Sequence, residues 1–109
     1  MSSSFQPASV DVDEWRLREL FNSEGILDRV QRGELVEVVT RSNHPASPLA
    51  GEPFCTQSQI VEYYDVGWIF VAMVHRYLRK DGTIGLSGRP DPKKIVVEGV
   101  RYRRGRLNR

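Results

Sequence analysis

Three groups of residues in this sequence have side chains suited to binding or catalysis. The first is the C-terminal run Arg101-Tyr102-Arg103-Arg104-Gly105-Arg106-Leu107-Asn108-Arg109, which holds five arginines in nine residues. A guanidinium grips phosphate or carboxylate through two parallel hydrogen bonds, and Tyr102 among them can pack or stack on a base. The second is His75, Tyr77 and Arg79, whose alternation puts them on one face of an extended strand. Histidine moves protons near neutral pH, and Tyr and Arg can stabilise a phosphorane. With Asp81 and Arg89 nearby, the row could form a metal-independent ribonuclease site of toxin type. The third is the stretch 81–94, in which Gly82, Gly85, Ser87 and Gly88 precede Arg89, Lys93 and Lys94.

A glycine-rich backbone flanked by cations is suited to cradling an anion. No Gly-Lys-Ser/Thr follows at Walker spacing, and Gly82, Gly85 and Gly88 do not make the dinucleotide fingerprint. The same glycines serve equally as turn formers, with Pro90-Asp91-Pro92 as a rigid corner. Cys55 with His44 or His75 would be a thiol and its base, but no local signature supports that pairing. One Cys and two well-separated His supply no metal-ligand cluster, so neither metal nor cofactor is expected.

The chain that must position these groups has 109 residues, 39% hydrophobic and 28% charged, with a formal charge of +2. That length supports one domain with a core of its own. The lone Cys55 excludes an internal disulfide and fits a reducing, cytoplasmic compartment. The first seven residues lack the charged start and apolar run of a signal peptide. The longest apolar run, 68–74, is seven residues, far below the roughly 20 of a membrane-spanning helix. The small net charge conceals a division. Residues 1–67 carry 5 basic and 11 acidic side chains, net −6, whereas 68–109 carry 11 basic and 3 acidic, net +8.

Residues 1–10 show no hydrophobic periodicity and are expected to be a disordered lead-in, followed by a single domain over 11–104 and a basic tail over 105–109. Asp11, with Glu14 three positions on, predicts a helix start, and Leu17, Leu20 and Phe21 predict a helix over about 12–21. Asn22-Ser23 can cap a second helix carrying Ile26, Leu27 and Val30, which Gly33 ends. Residues 35–40 are β-branched and read as a strand. Residues 41–53, with three prolines and a glycine, read as a long loop. Residues 59–64 and 68–78 read as paired strands around a turn at 65–67.

Two turns are more specific. Lys80-Asp81-Gly82 predicts a three-residue hairpin loop with Arg79 facing Thr83. A two-residue turn at Glu98-Gly99 pairs Val97 with Val100 and Ile95 with Tyr102. That register collects Lys94, Val96, Arg101 and Arg103 on the opposite face. The fold expected is therefore α+β: two short N-terminal helices followed by an antiparallel sheet of hairpins.

The function expected is that of a small non-enzymatic binding module. Its basic hairpin and tail, Arg101, Arg103, Arg104, Arg106 and Arg109 extended by Arg89, Lys93 and Lys94, would contact nucleic acid, single-stranded forms included, or an acidic protein surface. The alternatives are the ribonuclease centred on His75 and a protein–protein adaptor or inhibitor with Trp15 or Trp68 as anchor. No membrane partner is expected. The charge division also allows the acidic half to mask the basic half, or two copies to meet in a homodimer.

Overall fold

The computed structural model describes residues 8–43, 50–85 and 88–105. In chain order they form β1 (Ala8–Val12), α1 (Glu14–Ser23), α2 (Ile26–Gln31), β2 (Val36–Asn43), β3 (Gln57–Tyr64), β4 (Phe70–Leu78), β5 (Asp91–Val97) and β6 (Val100–Arg104). The six strands form one sheet in the order β1-β6-β5-β4-β3-β2. The α+β expectation holds, with two differences. The β1–β6 pair is parallel whereas the other four pairings are antiparallel, and a strand precedes the helices.

Residues 8–10, expected to be part of a lead-in, belong to β1, where Ala8 lies opposite Val100 and Val10 opposite Tyr102. The pairing partner lies some ninety residues away, so no local pattern announces it. Beyond Arg104 the ladder continues from Gly105 N–H to the Val12 carbonyl, 3.1 Å. A Cβ at Gly105 would stand 2.4 Å from the Cβ of Asp11, so the glycine permits this close approach.

With β1 occupying residues up to Val12, the cap of α1 moves from Asp11 to Asp13, whose carboxylate accepts from Arg16 N–H at 2.9 Å. Leu17, Leu20 and Phe21, at i, i+3 and i+4, are all buried. Asn22 and Ser23 extend α1 instead of capping α2, which starts after Gly25 at φ +62°. Gly33, at φ +77°, follows the end of α2 as expected.

Burial along β3 alternates strictly from Gln59 to Tyr64, so the sheet has two chemically different faces. Val61, Tyr63, Ala72, Val74 and Ile95 face α1 and α2 and join Leu17, Leu20, Phe21 and Ile26 in the core. Burying an aliphatic or aromatic side chain of this size stabilises by roughly 1.5–3 kcal/mol, which is what seats the helices on this side. Ile60, Glu62, Tyr64, Met73, His75, Lys94, Val96 and Arg101 point the other way and remain half-exposed.

Other boundaries shift for identifiable reasons. Strand β2 runs to Asn43, taking the first residues of the expected loop, and a bulge at Thr40 lets its hydroxyl donate to the Ile60 carbonyl. Residues 44–49 of that loop lie outside the described residues. Trp68 and Ile69, expected in the return strand, belong to the turn, where the Asp65 carboxylate accepts from Gly67 and Ile69 N–H. Asp91 and Pro92 are strand residues. Their register against β4 skips Lys93 as a bulge, a position that tolerates a proline without a ladder N–H.

Candidate nucleic-acid interface and adjoining cleft

The β5–β6 hairpin turns through Glu98 at φ +50° and Gly99 at φ +80°, the doubly left-handed geometry of a two-residue hairpin. Val97 pairs with Val100 and Ile95 with Tyr102, as the sequence predicts. Tyr102 packs against the core cluster, on the side away from the cations. On the face away from α1 and α2, Lys94 lies directly opposite Arg103, and Val96 opposite Arg101. Like charges placed opposite each other repel, so this strip gains when an anion lies across it. The Nε of Arg101 is buried and has no hydrogen-bond partner among the described residues.

The two charged parts of the chain do meet here. Arg103 donates to Asp11 on β1 at 2.7 Å, and Arg104 reaches Glu14 at the start of α1 at 3.2 Å. All four side chains are close to half exposed, and exposed pairs of this kind hold each other weakly. Arg106 and Arg109 lie outside the described residues.

A second basic region forms where β4 and β5 part. Their pairing stops at His75 and Asp91. Beyond it, Tyr77 accepts at its carbonyl from Gly85 N–H, and Leu78 bridges to Ile84. Arg89 reaches α1, where it donates to the Asn22 side-chain oxygen at 2.9 Å. Beside it lies a cleft of about 700 Å³, lined by Arg18 and Phe21 of α1, by Ile60, His75, Arg76 and Tyr77 of the sheet, and by Arg89, Pro90, Asp91, Pro92 and Lys93. Arg76 is held by Glu37 and Gln59. Lys93 contacts Asp91 at 2.9 Å, and Arg18 divides itself between Glu14 and Asp91.

Of the row predicted from alternation, the structure brings His75 and Tyr77 together, with rings 4.7 Å apart and edge to face. The Nε2 of His75 lies 2.8 Å from the Ser58 hydroxyl. Burial, with the charges of Lys93 and Arg41, holds His75 below the usual histidine range against the opposing pull of Asp91. Arg79 is engaged by Glu52 at 2.8 Å. Asp81 accepts from the Thr83 hydroxyl and N–H, contacts that lower its pKa. The hairpin loop around it has the predicted form, with Arg79 N–H bonded to the Thr83 carbonyl.

Sequence reasoning did not single out Arg18, Arg41 or Ser58. The latter two come to His75 through strand register, which alternation within one strand cannot reveal. Gly82 and Gly88 take positive φ as turn formers, and Gly85 passes so close to Glu52 that a Cβ would stand 2.5 Å from its carboxyl group. Cys55 is half-buried, and His44 lies outside the described residues. Among the described residues no group of three or more His, Cys, Asp or Glu side chains could hold a metal ion, and no helix is long and apolar enough to cross a membrane. Comparison with protein-family models, with curated proteins and with solved structures finds no match to this chain.

Proposed function

We propose that the protein is a non-enzymatic binding module that holds the phosphate backbone of single-stranded nucleic acid across the uncovered face of its β5–β6 hairpin. One observation carries this reading: Lys94, Arg101 and Arg103 stand together on a sheet face that neither α1 nor α2 covers. A flat strip of cations bordered by half-buried Val96 and Met73 suits a flexible polyanion better than a small rigid ligand. The Arg103–Asp11 contact is exposed enough to exchange for a phosphate.

The test is salt-titrated binding of fluorescent single-stranded RNA and DNA to the full chain, beside Lys94→Ala/Arg101→Ala/Arg103→Ala. Each phosphate neutralised by the protein contributes about 0.7 to the slope of log K against log salt, so the triple variant should flatten it by about 2. An unchanged slope in a folded variant would overturn the reading. The ribonuclease alternative has less support, because Arg79 and Asp81 are already engaged with Glu52 and Thr83. The adaptor alternative draws on the exposure of Trp15 and Trp68, at 76% and 65%. A defined complex with another protein that contains no nucleic acid would favour it.

A further inference from the structure

We infer that the cleft between α1 and the parted ends of β4 and β5 is a second site, which takes a phosphate monoester carried on a nucleoside. It is separate from the hairpin strip and does not rest on that strip binding nucleic acid. Three cations line its rim, Arg18, Arg89 and Lys93; Arg18 contacts both Glu14 and Asp91, and Lys93 contacts Asp91. The hydrogen bond of Arg89 goes to the neutral amide of Asn22, so its charge is not offset by that contact. Lys93 projects from a bulge, outside the regular ladder. A terminal phosphate carries up to two charges where a backbone phosphodiester carries one, and Arg89, joined by Arg18 and Lys93 as they exchange their partly exposed carboxylate contacts, suits the former.

The rest of the cleft suits the organic part of such a ligand. Ile60, Tyr77 and Pro92 supply an apolar wall, and His75 and Tyr77 present two rings in contact. Apolar walls with a few convergent polar groups are the usual composition of a small-molecule site, and this volume is within the usual range. The edge-to-face arrangement fixes the Tyr77 ring against His75, so a base can stack without first ordering a mobile side chain.

Adenosine 5′-monophosphate, adenosine and inorganic phosphate are the probes, titrated into the full chain with the ring protons of His75 and Tyr77 followed by NMR and affinity measured by calorimetry. The monophosphate should bind and shift both rings, with adenosine and inorganic phosphate each at least about tenfold weaker, the loss expected when a hydrogen-bonded charge or a stacked base is missing. Arg89→Ala and Lys93→Ala should each weaken the monophosphate by about tenfold or more, and Lys80→Ala, in the exposed hairpin loop, should not. A 5′-phosphorylated dinucleotide distinguishes two sources of the same group: tighter binding than the monophosphate assigns a strand end, and equal or weaker binding a free nucleotide. No binding at millimolar ligand, equal binding of adenosine and its monophosphate, equal binding of inorganic phosphate, or indifference to Arg89 and Lys93 would overturn the proposal.

Discussion

The two faces of the sheet use neighbouring residues of the same strands for opposite purposes. Ile95 is fully buried against the helices, and Val96, next to it, lies half-exposed beside Arg101. Val61 and Val74 pair across the core face with no exposed surface, while on the other face Ile60 and His75 pair at the edge of the basic cleft. One face consumes its apolar side chains in holding α1 and α2. The other carries charged and aromatic residues beside half-buried Ile60, Met73 and Val96. The packed face and the charged face are thus separated by one residue of register, which a shift of a single position would exchange.

The largest effect tests this division directly. Ile95→Ala should destabilise by about 2–5 kcal/mol through lost burial and a residual cavity. Val96→Ala should cost about 1 kcal/mol or less. Denaturant unfolding of both variants measures the contrast, and similar losses would show that the second face is packed as well.

A smaller effect lies with His75, whose pKa is lowered first by burial and then by the charge of Lys93. Its folded pKa is below the ordinary value of 6.5, so the unfolded chain binds the proton more readily. The associated stability is fully present above 6.5 and is lost as pH falls through the lower folded value. The melting temperature should therefore drop between pH 7 and pH 5, and His75→Asn should reduce that drop. Equal drops in both proteins would mean that other groups govern this window.

The smallest effect concerns the ion pair between the acidic and basic parts of the chain. A double-mutant cycle on Asp11 and Arg103 should give a coupling of only about 0.2–1 kcal/mol, decreasing with salt. A coupling of several kcal/mol would mean that Asp11 locks Arg103 in place, and would weaken the case for exchange with phosphate.

Much of the hairpin is legible from the sequence. Glu98-Gly99 supplies its own turn, and the alternation of Lys94, Ile95, Val96 and Val97 with Val100, Arg101, Tyr102 and Arg103 has a register in which Ile95 meets Tyr102 and Val97 meets Val100 on one face. Leu17, Leu20 and Phe21 likewise announce a buried helix face through spacing alone. The cleft is only half legible. Alternation finds His75 beside Tyr77, but Arg79 in the same row is drawn to Glu52, whose place depends on a chain segment folded elsewhere.

Strand β1 is not legible at all. Five residues beginning in a serine-rich stretch carry too little hydrophobic signal to stand out, and what holds them is an edge presented by β6.

Local sequence is enough for the turns at 80–82 and 98–99, the buried face of α1, the separation of charge along the chain and the alternating pattern of the β5–β6 hairpin. These depend on dihedral preference and periodicity, which act over a few residues. Packing at long range sets which acidic groups the arginines meet, which face the helices cover, and where a cleft opens beside His75. Those features join residues up to 92 positions apart, as Asp11 and Arg103 are, and they exist only once the core has fixed the order of the strands.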